Sequence, residues 1–219
     1  MPTYLRGTRV HVPPDKIDQA TKHFAETIVP TVRKAPGNLG AVLLVNRQTG
    51  DGVGLTYWDS AKSLGATEQV GIDSRVGATK NVPQMQVINV ERSEVVLMER
   101  AAPPKAGTFL RYTSATGDIN KIDAGIAFVR DKVLPVQRAQ KGFRALVCSV
   151  DRQTGRSHVA STWETLADLQ ASEKAIAPLR QESANVAGLI PETVKVEIFE
   201  APVVELASAV TAATAGNRS

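Results

Sequence analysis

The feature that most constrains this chain is an internal repeat at a fixed offset of 105 residues. The tetrapeptide Arg-Gln-Thr-Gly occurs at residues 47–50 and returns unchanged at 152–155. Residues 4–68 and 109–173 align without a gap and are identical at 19 of 65 positions. Because each copy is about 100 residues long, as a small domain is, the repeat predicts two similar domains rather than a solenoid of short units.

The boundaries of the two domains follow changes in composition along the chain. Residues 101–107 are rich in alanine and proline, which is typical of a short and semi-stiff linker. We therefore expect a first repeat over residues 1–100, a linker over 101–107 and a second repeat over 108–206. The remaining residues, 207–219, are rich in alanine and threonine and predict a flexible tail.

Each copy shows the same order of strand and helix patterns. In the first copy a β-branched segment ends at Pro13-Pro14, and apolar residues then recur at helical spacing. Two further strands flank the Arg-Gln-Thr-Gly turn, and Ser60 and Thr165 are suited to cap a second helix. A last strand closes each copy. This β-α-β-β-α-β order is that of a ferredoxin-like domain.

Two details of the helices carry specific expectations. Pro30 and Pro135 fall late in the first helix of each copy, where we expect them to kink or end it. Gly71 and Gly77 indicate that the second helix of the first copy is shorter or broken.

The fold class predicted from these patterns is α+β. A four-stranded ferredoxin-like sheet carries its helices on one face and leaves the other face apolar. We expect the two tandem domains to cover these faces by packing sheet-to-sheet, as an intramolecular α+β barrel.

The order of motifs resembles one known family. Each copy has a helix with a proline seven residues before a glycine, an apolar strand, Arg-x-Thr-Gly, and a strand ending in Trp-Asp or Trp-Glu. This arrangement is similar to the antibiotic biosynthesis monooxygenase-like family of the dimeric α+β barrel superfamily. The resemblance covers both copies and identifies the chain as a tandem two-domain member.

The resemblance implies a range of activities. Relatives include oxygenases that use no metal or flavin, haem-degrading enzymes and isomerases. In the oxygenases the substrate lies between helices and sheet, near a tryptophan that corresponds to Trp58 and Trp163. Haem-degrading relatives carry an iron-binding histidine further along, but residues 66–68 and 171–173 contain none. Glu68 and Glu173 there are poor substitutes for an imidazole ligand.

Four duplicated residues are the candidate substrate-binding groups. Trp58 and Trp163 can stack on an aromatic ring, although each can equally be a core anchor. Arg6 and Arg111 lie within the first strand of each copy and can bind a carboxylate or an enolate. Their alternatives are an exposed position or one half of an ion pair.

The candidate catalytic residues are His158, His23 and Tyr112, and none of them is duplicated. An imidazole titrates near neutral pH and can act as a general base, and a phenol can donate a hydrogen bond to a substrate. We therefore expect any activity to belong to one half of the chain. The three histidines show no metal-binding spacing, so no metal and no cofactor are predicted.

Composition and charge limit the kinds of partner that the sequence predicts. The net charge is +4, but lysine and arginine are interspersed with acidic residues, so no nucleic-acid site is predicted. No apolar stretch is long enough to span a membrane, and no signal peptide is evident, so we expect a cytoplasmic protein. The expected partner is a small-molecule ligand or substrate, and a homodimer of the two-domain chain is a further expectation.

Three functions remain open from the sequence. The first is a cofactor-independent monooxygenase acting on an aromatic or polyketide-like small molecule. The alternative is a non-catalytic small-molecule-binding or scaffold protein, favoured because no acid or base in a recognised catalytic arrangement is duplicated. The second alternative is a cofactor-free isomerase or cyclase on the same fold.

Overall fold

The computed structural model describes residues 3–207. Of the tail predicted at 207–219, all but residue 207 lies outside the described residues. None of the helices between residues 3 and 207 has the length and apolar character needed to cross a bilayer.

The strands of the two repeats correspond one to one. In chain order the strands are β1 (Thr3–His11), β2 (Asn38–Val45), β3 (Asp51–Trp58), β4 (Gln86–Arg100), β5 (Thr108–Thr116), β6 (Phe143–Val150), β7 (Arg156–Trp163) and β8 (Lys195–Leu206).

The helices also recur at equivalent positions. The α-helices are α1 (Ile17–His23), α2 (Val29–Arg33), α3 (Ala61–Ala66), α4 (Glu68–Asn81), α5 (Ile122–Phe128), α6 (Leu134–Arg138), α7 (Leu166–Ala171) and α8 (Glu173–Val186). Short 3₁₀ turns occur at Pro14–Lys16, Ile119–Lys121 and Pro191–Thr193.

The described chain divides into two compact units. Unit 1 contains residues 3–94, 104–107 and 199–207, and unit 2 contains residues 95–103 and 108–198. These units differ from the boundaries drawn on the sequence, because the long final strand of each repeat, β4 or β8, is divided between the units.

Each unit has the strand order of a ferredoxin-like sheet. In unit 1 the order is β4-β1-β3-β2, and the end of β8 pairs with β2 in antiparallel register, with Val42 opposite Val204. In unit 2 the order is β8-β5-β7-β6, followed by the end of β4. The predicted α+β class with two tandem ferredoxin-like repeats is confirmed.

The prolines of the first helix do not end it. Each follows a π-helical segment, Phe24–Ile28 before Pro30 and Val129–Val133 before Pro135. The wider π turn moves the preceding carbonyls away from the proline ring, so the helix continues as α2 or α6. The duplicated proline therefore reshapes the middle of the helix.

The second helix begins as predicted but is longer in the first repeat than expected. Ser60 Oγ accepts from the Ser63 amide at 3.1 Å, and Thr165 Oγ1 accepts from the Asp168 amide at 3.1 Å. The expected shortening near Gly71 is wrong, because α4 and α8 are both 14 residues long.

Candidate functional site

Each unit contains a cavity between its helices and the helix-facing side of its sheet. The cavity volume is about 90 Å³ in unit 1 and about 110 Å³ in unit 2. Since a cavity volume of roughly 10–15 Å³ is enough for one water molecule, either cavity has room for a small organic molecule. The linings contain equivalent residues, including Thr8, Val10, Ile28 and Val45 in unit 1 and Thr113, Ala115, Val133 and Val150 in unit 2.

A buried arginine forms one end of the unit 1 cavity. Arg6 lies on β1 opposite Thr56 of β3, and only 3% of its surface is exposed. Its Nη2 donates to the carbonyl of Leu64 at 2.7 Å and to Glu68 Oε2 at 3.1 Å. Burial lowers the pKa of Arg6, and the nearby Glu68 carboxylate partly offsets this effect. The guanidinium stays charged at neutral pH.

Glu68 connects Arg6 to two further arginines. Its Oε1 accepts from Arg75 Nη2 at 3.4 Å, and its Oε2 forms an ion pair with Arg92. The bond from Arg92 holds the pKa of Glu68 below its usual value, against the effect of partial burial. We call Arg6, Glu68, Arg75 and Arg92 the arginine cluster of unit 1.

Unit 2 repeats the arginine cluster with three residues. Arg111 Nη2 donates to the Leu169 carbonyl at 2.7 Å and pairs with Glu173 Oε2 at 2.9 Å. Arg180 Nη2 binds the other oxygen, Glu173 Oε1, at 2.6 Å. Arg111 Nη1 also donates to the Ser172 hydroxyl at 3.1 Å, where unit 1 uses the carbonyl of Thr67.

Sequence reasoning missed the acidic and second basic members of these clusters. Glu68 with Arg75 and Glu173 with Arg180 recur at the 105-residue offset, and this was the available signal. Glu68 and Glu173 lie near the place where haem-degrading relatives carry histidine. Here both carboxylates are engaged by arginines.

The two tryptophans anchor the core beneath the arginines. Both indoles are fully buried, and neither borders the cavity of its unit. Trp58 Nε1 donates to Thr56 Oγ1 and Trp163 Nε1 donates to Ser161 Oγ, both at 3.0 Å. The guanidinium carbons of the arginines lie 5.7 and 5.9 Å from the ring centroids, within cation–π range.

His23 is the predicted catalytic residue that borders a cavity. It lies at the end of α1 and lines the cavity of unit 1 together with Arg6 and Arg75. Its Nε2 is buried and has no hydrogen-bond partner. Burial lowers the pKa of His23, so its imidazole is neutral at pH 7 and can accept a proton.

Other polar atoms around the unit 1 cavity are also without partners. They are Arg6 Nε, Arg75 Nη1 and Ser74 Oγ. Gly71 makes this arrangement possible, because a Cβ there would lie 2.9 Å from Arg6 Nη1 and 3.1 Å from Arg75 Nη1. The cavity thus presents unpartnered donors to a ligand, in a lining that is mostly apolar but also contains Thr8, Asp51 and Thr56.

The unit 2 cavity has a different polar lining. Phe128 occupies the position equivalent to His23, and Gln137 replaces Val32. Gln137 is 3% exposed and its Oε1 has no hydrogen-bond partner. The thiol of Cys148 also lines this cavity, and burial raises its pKa to about 12, so it stays protonated.

His158 and Tyr112 lie on the other face of the unit 2 sheet. Strand residues alternate between faces, and Arg111 on β5 and Ser161 on β7 face the cavity. Tyr112 and His158 are buried on the opposite face, where their rings stack with centroids 5.2 Å apart. Their catalytic roles stay predictions, and the structure does not bring either residue to the cavity.

No group of three His, Cys, Asp or Glu side chains that could hold a metal ion occurs in the part of the chain that the structure describes.

Comparison with known proteins supports the resemblance seen in the sequence. Residues 3–69 match the sequence profile of the antibiotic biosynthesis monooxygenase family. Among related sequences, an uncharacterised protein of Mycobacterium tuberculosis is 24% identical over 185 residues, covering 84% of this chain and 82% of the relative. A second protein from the same organism is 24% identical over 207 residues, covering 93% and 85%.

Solved structures share the fold across nearly the whole chain. A candidate monooxygenase from Fusobacterium nucleatum superposes with a TM-score of 0.66 at 12% identity and covers 94% of both chains. An anthrone oxidase-like protein also gives a TM-score of 0.66 at 12% identity, covering 98% of this chain and 96% of that one. The haem-degrading enzyme of Listeria monocytogenes gives 0.52 at 11% identity, covering 90% and 99%. At these identities the likeness is one of fold.

The resemblance predicted from the sequence is thus confirmed for residues 3–69, which match the model of the antibiotic biosynthesis monooxygenase family. The solved structures share the fold of nearly the whole chain.

Proposed function

We propose that the unit 1 cavity is the reaction site of a cofactor-independent monooxygenase that acts on an aromatic, polyketide-like small molecule. The observation that carries this proposal is the unpartnered Nε2 of His23, which lines the same cavity as Arg6 and Arg75. A neutral base and two cations around one apolar space suit a reaction that passes through a substrate anion.

The walls of the cavity favour an aromatic substrate. Apolar side chains from α1, the π-helical segment and β2 surround the space, including the ring of Phe24. Gly54 faces that ring, and a Cβ on Gly54 would lie 3.1 Å from Phe24 Cε2. The missing side chain lets the phenyl ring lie close against β3, where it forms an aromatic part of the cavity wall.

His23 supplies the base in this proposal. Its imidazole is half-buried, with Nε2 turned away from solvent, and it is neutral at pH 7 because burial lowers its pKa. It takes a proton from an activated CH₂ group of the substrate, next to a carbonyl or a phenol. Arg6 and Arg75 stabilise the enolate or phenolate that forms.

The substrate anion then reacts with dioxygen. Two electrons pass from the carbanion to dioxygen as the carbon–oxygen bond forms, and the imidazolium returns its proton to give a hydroperoxide. Loss of water from the hydroperoxide leaves a carbonyl. The balance is R₂CH₂ + O₂ → R₂C=O + H₂O, so one oxygen atom stays in the product and the other leaves as water.

Oxygen uptake with anthrone tests the proposal. Anthrone has the activated CH₂ group described above, and one of the structural relatives is named an anthrone oxidase-like protein. We expect uptake of one dioxygen per anthrone, with anthraquinone as product, at a rate well above that in buffer. The rate should rise with pH through a value below the ordinary histidine pKa, as His23 loses its proton.

Other outcomes favour the remaining functions. Saturable binding of anthrone and related phenols without oxygen uptake would contradict the monooxygenase proposal and favour a binding protein. Conversion of a ligand to an isomer without oxygen uptake would favour an isomerase or cyclase.

A further inference from the structure

The unit 2 cavity contains a buried amide oxygen with no hydrogen-bond partner. Gln137 lies on α6, is 97% buried and lines the cavity, and its Oε1 accepts no hydrogen bond. A buried polar atom is normally paired, so an unpaired amide oxygen in the wall of a cavity indicates a missing donor. In unit 1 the equivalent residue is Val32, which belongs to the apolar core.

Most of the surrounding wall is apolar. Side chains from α5, the π-helical segment and α8 face the space, among them Ile126, Val129 and Ile176. The Cys148 thiol stays protonated. A ligand that fills this space would be largely apolar and would place one polar group against Gln137.

The charges around the cavity are balanced. Arg111 and Arg180 share the carboxylate of Glu173, and Asp118 supplies a second negative charge. Asp118 Oδ1 accepts from the Asn120 amide. Unit 1 has a third cation, Arg92, beside its glutamate, whereas around the unit 2 cavity two cations balance two anions. This balance does not favour an ionised ligand.

We propose that the unit 2 cavity is a second, non-catalytic binding site for a small, neutral, mostly apolar molecule whose hydroxyl group donates a hydrogen bond to Gln137 Oε1. The proposal is independent of the oxidation proposed for unit 1, since it uses none of the residues of that cavity.

Isoleucine methyl groups can report which cavity a ligand enters. Ile122, Ile126 and Ile176 line the unit 2 cavity, whereas Ile17 and Ile28 line that of unit 1. A protein with ¹³C-labelled isoleucine methyl groups is titrated with 2-naphthol, a hydrogen-bond donor, and separately with 2-methoxynaphthalene, which has no donor. The spectra report binding whether or not oxygen is consumed.

We expect 2-naphthol to shift the unit 2 methyl resonances saturably and to bind there about 10-fold more tightly than 2-methoxynaphthalene. In Gln137→Leu this preference should disappear while the methoxy compound still binds. The first repeat already carries an apolar residue at this position, so the variant is expected to fold. Gln137→Met, which is closer in shape, serves as a second variant.

Three results would overturn the proposal. They are shifts confined to Ile17 and Ile28, equal affinity for the two compounds in the wild-type protein, and an unchanged preference in both Gln137 variants. If the wild-type protein does not oxidise anthrone but binds 2-naphthol in unit 2, the proposal for unit 2 stands and the proposal for unit 1 is contradicted.

Discussion

The cavities of the two units share one structural support and differ in the groups that face a ligand. Both have a buried tryptophan, an arginine above it and a glutamate joined to a second arginine. These residues are identical at the 105-residue offset. The support for the cavity was therefore kept in both copies.

The groups that can act on a ligand were not kept. Unit 1 has His23 where unit 2 has Phe128, and unit 2 has Gln137 where unit 1 has Val32. A neutral base suits proton transfer, and an amide suits recognition of a neutral hydroxyl. This difference is the basis for proposing a reaction in unit 1 and binding in unit 2.

The largest expected effect on stability comes from the tryptophans. Replacing Trp58 by alanine should lower the free energy of unfolding by about 4 kcal/mol, because a fully buried indole is lost. Trp163→Ala should cost about 1 kcal/mol more, since Trp163 also makes an edge contact with Phe143 at 5.6 Å. Urea unfolding of both variants measures this difference. Losses below about 1 kcal/mol in either variant would show that the indoles are not core anchors.

The buried arginines should give the next largest effect. Arg6→Met and Arg111→Met should each lower the free energy of unfolding by about 3 kcal/mol, because a helix carbonyl and a glutamate each lose one of their donors. Arg33 is exposed and is the control, with Arg33→Met expected to change stability by less than about 0.5 kcal/mol. Unfolding free energies that are equal for Arg6→Met and Arg33→Met would contradict the structural role of the cluster.

His23, which unit 2 lacks, should make stability depend on pH, and this effect should be smaller. The pKa of His23 is lowered in the folded chain, so the unfolded chain binds more protons below the ordinary histidine pKa. Stability should fall as pH decreases from about 6.5 toward the lowered value, by at most about 1.4 kcal/mol per pH unit. His23→Phe, which copies unit 2, should remove this slope. An identical pH dependence of unfolding in both proteins would contradict burial of the neutral imidazole.

Much of the fold could be predicted because the repeat and local patterns agree. Ser60 and Thr165 cap their helices as the sequence indicates. The shortening expected near Gly71 was wrong, because this glycine gives space to two guanidiniums rather than ending the helix. Glycine spacing alone does not distinguish these two roles.

The candidate site was only partly predictable. Arg6 and Glu68 are 62 residues apart, and only the folded chain brings them together. The positions of Tyr112 and His158 could have been anticipated, because strand alternation puts Tyr112 on the face opposite Arg111. The burial that makes the His23 imidazole neutral depends on packing that no local pattern contains.

The most direct test of the account is the rate of oxygen uptake with anthrone in His23→Phe, measured beside His158→Phe and the wild-type protein. Loss of the general base should lower the rate of His23→Phe by about 10²- to 10⁴-fold while anthrone still binds. His158→Phe should stay close to the wild-type rate, because His158 lies on the other face of the unit 2 sheet. A wild-type rate in His23→Phe, or a large loss confined to His158→Phe, would contradict the assignment of the reaction to unit 1.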